Sequence, residues 1–289
     1  MNTEITVAAV DTARVGEGPF WDAATGTLHW VDILGGAISS LVVPAGERAR
    51  ATFPTLVGAA VPKASGGYVA ATREGFAEVT ATGALVTRSR MLGEGHRMND
   101  AKCDPQGRLW AGSTQMEFAA GQGALHVLDA DWRHETLLDG LTLPNGLGWS
   151  PDGHTFYLID SIARELNAFD VTPGGCALSG RRVLVTFGED AGLPDGLTVD
   201  SAGCLWIAMW GGSRVVRVSP EGSVLGVVPM PVAQPSSCAF GGPGLSVLYV
   251  TSAREGLDVP PFPATAVDGS VLAVRGLGVT GLPGTRFGG

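Results

Sequence analysis

Lysine is scarce in this chain. Only two lysines, Lys63 and Lys102, occur among the 289 residues, and the formal net charge is −9. A protein that follows a nucleic-acid backbone needs a basic face to neutralise the phosphates. The composition therefore argues against nucleic acid as a partner.

Export signals and membrane-spanning runs are also missing. The first residues, MNTEITVAAVDTAR, have no basic start followed by an apolar centre and a cleavage site, and no run approaches about 18 consecutive apolar residues. We therefore expect a cytoplasmic protein that does not bind a membrane. The four cysteines, at positions 103, 176, 204 and 238, show no C-x-x-C spacing, so we expect reduced thiols with structural roles.

Several catalytic signatures are absent. The chain has no G-x-S-x-G, no G-x-x-x-x-G-K-[ST] and no H-E-x-x-H, and its five histidines form no ligand spacing. These absences argue against a His-dependent triad, a phosphate-binding loop and a histidine zinc site.

Glycine and proline, in contrast, are abundant. Forty-three glycines and eighteen prolines lie between short apolar runs, and no long stretch has the 3.6-residue periodicity of a helix. The pattern predicts an all-β protein. With 45% apolar residues, the chain can bury a substantial core, and we expect residues 1–289 to form one domain.

An internal repeat gives the architecture. A small or polar residue, an apolar run, a turn and a second apolar run recur six times, beginning at residues 17, 58, 99, 145, 195 and 236. These starts lie 41, 41, 46, 50 and 41 residues apart, which is the period of a four-stranded propeller blade. The repeat therefore predicts a six-bladed β-propeller.

The amino-terminal residues 3–10 alternate as a strand does but precede the first repeat. Propellers commonly complete the last blade with a strand from the other terminus, which removes an exposed sheet edge. We therefore predict that this strand pairs with residues 269–275 and closes the ring.

The repeat also brings polar residues together. The first strand of each blade lines the central channel, so the residues at the six starts should converge at one mouth of it. Four of them carry side-chain oxygens: Glu17, Asn99, Asn145 and Asp195. Oxygen donors suit a hard divalent cation, although N-G and D-G are also ordinary turn dipeptides on a solvated rim. Their shared register favours a metal site.

Two further residues lie near this set. Arg97, two residues before Asn99, faces the same side of its strand and could donate hydrogen bonds to a substrate, or it could be a surface arginine paired with an acid. The same alternation turns Asp100 away from the channel. Blade two begins at Gly58 and should contribute backbone and space, not ligands.

Four motifs identify a family. The opening G-E-G-P-x-W at 16–21 and the segments RMNDAKCDPQGRLWAGS, LPNGLGWSPDG and PDGLTVDSAGCLWIAMWGG resemble the gluconolactonase/regucalcin family, also called the senescence marker protein family. The resemblance runs from about residue 15 to about residue 275. It implies a six-bladed propeller, and the family includes metal-dependent lactonases that open sugar-acid lactones as well as calcium-binding regucalcins.

The resemblance also implies roles for individual residues. Glu17, Asn145 and Asp195 stand at the positions of the metal ligands, and Asp195 also stands at the position of the catalytic base. Arg97 and Asn99 stand where residues contact substrate, as does Glu117 in the connection after blade three.

On these grounds we expect a hydrolase of carbohydrate metabolism that converts a sugar-acid lactone of the gluconolactone, xylonolactone or arabinonolactone type to the aldonic acid. Its cofactor would be one divalent ion, with Ca²⁺, Zn²⁺, Mn²⁺ and Fe²⁺ all compatible with oxygen ligands. The partner would be a small-molecule sugar lactone, and the protein a monomer or weak homo-oligomer. A non-enzymatic calcium-binding protein and a metal-dependent phosphotriesterase remain as alternatives.

Overall fold

The six repeats form six four-stranded antiparallel sheets. The structure is a computed structural model that describes residues 3–172, 174–257 and 265–288. Strand β1 (Glu4–Ala9) precedes the first repeat.

Each repeat supplies the strands of one blade. Blade one contains β2 (Gly16–Asp22), β3 (Thr27–Asp32), β4 (Ala37–Val42) and β5 (Arg48–Thr52). Blade two contains β6 (Val57–Pro62), β7 (Tyr68–Thr72), β8 (Gly75–Val79) and β9 (Leu85–Arg90). Blade three contains β10 (His96–Cys103), β11 (Leu109–Gln115), β12 (Gly123–Leu128) and β13 (His134–Leu141).

The second half of the chain repeats this plan. Blade four contains β14 (Pro144–Trp149), β15 (Thr155–Asp160), β16 (Glu165–Val171) and β17 (Leu178–Thr186). Blade five contains β18 (Leu193–Val199), β19 (Leu205–Trp210), β20 (Arg214–Val218) and β21 (Val224–Pro229). Blade six contains β22 (Pro235–Gly241), β23 (Val247–Ser252), β24 (Val271–Arg275) and β1. The helices of the described residues are two 3₁₀ turns, Glu189–Ala191 and Pro243–Leu245.

The first strands of the blades form the inner ring. Strand β2 contacts β6, β6 contacts β10, and the contacts continue through β14 and β18 to β22, which returns to β2. The fold is therefore a six-bladed β-propeller, as the repeat predicts.

The ring closes as predicted. Strand β1 pairs with β24 antiparallel, with Glu4 opposite Arg275 and Val7 opposite Leu272. Blade six thus takes three strands from the end of the chain and its outermost strand from the beginning.

The hydrophobic core lies between adjacent blades. Trp110 of blade three packs edge-on against Trp149 of blade four, with ring centroids 5.3 Å apart, and Trp206 of blade five packs on Phe240 of blade six at 5.9 Å. Each blade therefore buries both sheet faces against its neighbours.

Three of the four cysteines are buried, and the described helices are short. Cys103, Cys204 and Cys238 are buried free thiols, as their apolar surroundings in the sequence predict. Across the described ranges, no helix has the length and apolar character that a membrane span requires.

Candidate active site

Four polar residues of the inner strands meet at one end of the central channel. Glu17, Asn99, Asn145 and Asp195 line a cavity of about 340 Å³, together with Arg97. All five are at least nine-tenths buried. They form the polar floor of the cavity, and four blades contribute to it.

A bulge lies beside each floor residue. The register of the inner strand with its neighbour shifts between Glu17 and Phe20, between Met98 and Ala101, between Asn145 and Leu147, and between Pro194 and Leu197. A bulge bends its strand and re-aims the local side chains. The repeated bulge therefore explains how four strands direct polar groups to one place.

Two glycines let the inner strands approach each other. A Cβ on Gly146 would lie 2.5 Å from the backbone oxygen of Asp195, and one on Gly196 would lie 2.0 Å from Oγ of Ser237. Because any side chain at these positions would clash with the next blade, the N-G and D-G pairs serve close packing of the ring.

Hydrogen bonds hold the floor residues in fixed orientations. Arg97 Nη1 donates to Asn99 Oδ1 at 2.5 Å, and Asn99 Nδ2 donates to Asn145 Oδ1 at 2.8 Å. Asn145 Nδ2 in turn donates to Ser161 Oγ at 2.9 Å, and this hydroxyl donates to the backbone oxygen of Pro194 at 2.6 Å. The chain of bonds leaves the carboxylates of Glu17 and Asp195 as the groups with spare acceptor capacity.

The electrostatics of the floor are those of crowded, buried acids. Burial, and then the charge of Asp100, raises the pKa of Glu17 to about 8. Burial, followed by the charges of Glu17 and Asp100, raises the pKa of Asp195 well above its ordinary value. Burial also lowers the pKa of Arg97 to about 10, against the attraction of Glu17 and Asp195.

These residues fit a divalent cation. Oδ1 of Asp195 is buried and has no hydrogen-bond partner among the residues that the structure describes, which is costly for a carboxylate oxygen unless a ligand satisfies it. Within the described residues, no three His, Cys, Asp or Glu side chains are grouped for a metal ion, so Asn145 would supply the third side-chain oxygen. The donor set of two carboxylates and one carboxamide suits a hard or borderline ion.

Three other residues considered in the sequence lie outside the cavity lining. Glu117 is exposed, and its flanking residues Met116 and Phe118 line the cavity in its place. The substrate contact of Glu117 therefore stays a prediction that the lining does not support. Gly58 packs against the backbone of Met98 and Asn99, and Ser236 donates to the backbone oxygen of Gly16 at 2.5 Å.

Sequence reasoning missed two features of the site. The first is Asp100, which is 6% exposed and whose charge acts on both Glu17 and Asp195. Alternation turns Asp100 away from the channel, and Asp100 is outside the cavity lining, but its charge still raises the pKa of both carboxylates.

The second missed feature is an apolar collar around the mouth of the cavity. We define the collar as the lining apolar residues that are half-buried or exposed: Val15, Leu34, Met116, Phe118, Ile162, Leu193 and Trp210. The repeat contains a signal for part of it. Residues 34, 116 and 162 follow the floor residues 17, 99 and 145 by 17 in each case.

Comparisons with known proteins agree with this architecture. Residues 15–254 match the family described as "SMP-30/Gluconolactonase/LRE-like region". Regucalcin of Xenopus laevis is 34% identical over 295 residues, covering 99% of each chain. The putative sugar lactone lactonase YvrE of Bacillus subtilis (strain 168) is 34% identical over 254 residues, covering 86% of this chain and 87% of that protein.

A solved structure extends the likeness to three dimensions. The calcium-binding protein regucalcin from Agrobacterium tumefaciens strain C58 superposes with a TM-score of 0.91 at 27% identity, covering 98% of this chain and 97% of that one.

Proposed function

The chain belongs to the SMP-30/gluconolactonase/LRE-like family, and from that premise we propose that it is a divalent-metal-dependent lactonase acting on a sugar-acid lactone. The observation that carries the proposal is the polar floor, where buried Glu17, Asn145 and Asp195 present oxygen donors to one cavity. The lactonase relative in Bacillus subtilis and the calcium-binding relative in Agrobacterium support the activity and the ion respectively.

The proposed ion would be held by Glu17, Asn145 and Asp195. When bound, a divalent cation supplies Lewis-acid polarisation to a carbonyl group. Glu17 is fixed for this role by the backbone N–H of Gly18, which donates to its Oε2 at 2.9 Å. Asn145 is fixed by its bonds to Asn99 and Ser161.

Asp195 is the proposed general base. It accepts a proton from the attacking water while the water oxygen bonds to the lactone carbonyl carbon. As the bond from that carbon to the ring oxygen breaks, Asp195 returns the proton to the leaving oxygen, and the product is the open hydroxy acid. General-base help of this kind is typically worth about 10²–10⁴-fold in rate.

Arg97 and Asn99 are the proposed positioning residues. The guanidinium of Arg97 is oriented by bonds from Nη1 to Asn99 Oδ1 and to the backbone oxygen of Met98. Its remaining N–H groups can donate to the substrate and hold the ring over the floor.

The experiment is a lactone panel run with several divalent ions, with acid release followed by a pH indicator. We expect lactone hydrolysis that is abolished by chelation and restored by added metal. In Asp195→Ala reloaded with metal, kcat should fall by about 10²-fold or more. Near-normal kcat in this variant would place the base elsewhere.

The same experiment tests the two alternative functions. Metal uptake without hydrolysis of any lactone would favour a calcium-binding protein. Turnover of a nitrophenyl phosphotriester alone would favour a phosphotriesterase.

A further inference from the structure

The wall of the active-site cavity differs in chemistry from its floor. Of the sixteen described residues that line the cavity, nine are apolar. The five polar floor residues are buried, whereas the apolar collar is half-buried or exposed. The lining also includes the exposed Glu255, whose carboxylate is paired with Arg14 at 3.0 Å. A ligand that reaches the floor therefore passes, and remains in contact with, an apolar mouth.

The collar is built into the repeat. Leu34, Met116 and Ile162 follow the floor residue of their own repeat by 17 residues and come just after the second strand of blades one, three and four. Three separate blades thus place an apolar side chain at the same position around the mouth.

Two collar residues are exposed although they are large and apolar. Phe118 is 39% exposed and Ile162 is 42% exposed. Phe118 also has a φ of 56°, which is uncommon for a bulky residue and strains its backbone. Its turn is held by the side chain of Gln115, whose Oε1 accepts from the backbone N–H groups of Glu117 and Ala119. Apolar groups kept at a cavity mouth mark a surface for ligand contact.

Polar groups that could receive several hydroxyls are few. Both amide protons of Asn99 are directed to protein acceptors, Pro144 O and Asn145 Oδ1. The Ser161 hydroxyl donates to Pro194 O. If a ligand carried hydroxyls along its whole length, some of them would contact the apolar collar and lose their hydrogen-bond partners. This loss weakens binding.

We propose that the preferred substrate is a sugar-acid lactone whose exocyclic end carries an apolar alkyl or aryl substituent, so that the ring lies on the polar floor and the substituent lies in the collar. This inference rests on the proposed lactonase function and specifies its substrate class. Arg97 and the floor carboxylates would face the lactone group, while Phe118, Ile162 and Trp210 would contact the substituent.

The test is a homologous series of glucono-δ-lactones alkylated on O6 that begins with glucono-δ-lactone itself and adds one methylene at a time. We expect kcat/KM to rise by about fourfold for each methylene that is buried in the collar and then to level off. A preference for unsubstituted glucono-δ-lactone over every alkylated member, with no dependence on chain length, would overturn the inference.

Collar variants show whether these residues cause the trend. Phe118→Ser and Ile162→Ser should each flatten the rise of kcat/KM with chain length, whereas Leu225→Ser, at an exposed apolar residue of outer strand β21, should leave the slope unchanged. Equal slopes in all three variants and the parent would count against the collar.

A binding measurement separates this inference from the proposed function. Calorimetry with alkyl-substituted δ-lactams, which resist hydrolysis, should show affinity rising with chain length in the parent and less in Ile162→Ser. If lactam affinity rises but no lactone is hydrolysed, the proposed lactonase function fails while the apolar subsite stands. If lactones are hydrolysed but lactam affinity does not rise, the subsite fails alone.

Discussion

Arg97 is a buried cation that lines the cavity together with the buried carboxylates of Glu17 and Asp195, whose charges attract it. Because its guanidinium is oriented by Asn99 and Met98, it can bind substrate without losing much side-chain freedom. Arg97→Ala should raise KM by about ten- to a hundredfold, which corresponds to the loss of a charge-assisted hydrogen bond, and change kcat less.

Steady-state kinetics on one lactone test this prediction, with Arg97→Lys as the control. The lysine keeps the charge but loses the fork of donors, so it should fall between the parent and Arg97→Ala. A fall in kcat with KM unchanged would show instead that Arg97 acts mainly in the transition state.

The stability of the metal-free protein should depend on Glu17. Burial, then the Asp100 charge, raises its folded-state pKa from 4.5 to about 8. A group with a raised folded pKa stabilises the fold below its unfolded pKa, and this contribution is lost as pH rises through the folded pKa. Stability in chelator should therefore fall from about pH 4.5 to about pH 8.

Thermal melts in chelator across this pH range give the measurement. Glu17→Gln removes the titrating group, so its melting temperature should fall less than that of the parent. In the parent, added metal should raise the melting temperature more near pH 8 than near pH 5, because protons compete with the ion for the carboxylates. Parallel melting curves for parent and variant would contradict this account.

The floor residues could be predicted from the sequence, but their surroundings could not. The common register of Glu17, Asn145 and Asp195 requires only the repeat and the inner position of each first strand. The effect of Asp100 on the floor pKa values depends on its burial beside them, and that burial follows from packing in the folded ring. Part of the collar follows the 17-residue spacing from the floor residues, but Phe118 lies outside that spacing, and its side-chain direction depends on local backbone angles.

At the scale of the element, one hairpin design recurs in blades three and five. The segments DPQGRLW and DSAGCLW begin at Asp104 and Asp200, which are 1% and 0% exposed. In blade five, Oδ1 of Asp200 accepts from the backbone N–H groups of Ala202 and Cys204, and Oδ2 accepts from Trp206 Nε1 and Arg217. One carboxylate therefore holds the turn, the tryptophan and the third strand together.

Removal of this carboxylate should be strongly destabilising. Asp200→Ala leaves a partly buried arginine and two backbone donors without their acceptor, and breaking such a buried pair costs about 3–5 kcal/mol. Asp152, in the exposed turn of blade four, bonds mainly to its own turn, so Asp152→Ala should lose far less. Urea unfolding of the two variants tests this, and similar losses in both would refute the special role of the buried turn.

At the scale of the whole molecule, the ring closure could be predicted but the course of the chain after it could not. The spare strand β1 and the short apolar run of β24 are visible in the sequence. The tail from residue 276 to residue 288 has no strand pattern, yet it crosses the face of the ring opposite the active site. Its backbone joins Leu245 of blade six through Gly281 and Pro62 of blade two through Phe287.

Because both ends of the chain contribute to blade six, we propose that residues 1–289 form one cooperative domain. Blade six cannot form without both ends of the chain, since β1 is the outer neighbour of β24. Calorimetry should show a single unfolding transition, and deletion of residues 1–9 should lower its temperature by exposing the edge of β24.

The tail makes a second closure, and its anchor is Phe287. This side chain is 3% exposed, packs 5.6 Å from the ring of Trp132 and joins the core between blades two and three. Beside it, Arg286 Nε donates to Asp22 Oδ1 of blade one at 3.2 Å. The tail thereby covers a cavity of about 330 Å³ at the far end of the channel. Cys103 and Gly284 line this cavity.

Phe287→Ala should weaken the packing of the tail over this cavity. The substitution removes a buried aromatic side chain, which costs about 3–5 kcal/mol in the free energy of unfolding, and it frees the tail to lift from Cys103. In a Cys176→Ser background, which removes the one cysteine that is partly exposed in the described structure, maleimide labelling of Cys103 should become faster. Leu225→Ala on the exposed outer strand β21 should change neither property, because its side chain is 53% exposed. If Phe287→Ala lost stability without faster labelling, the tail would pack against the ring without controlling access to the channel.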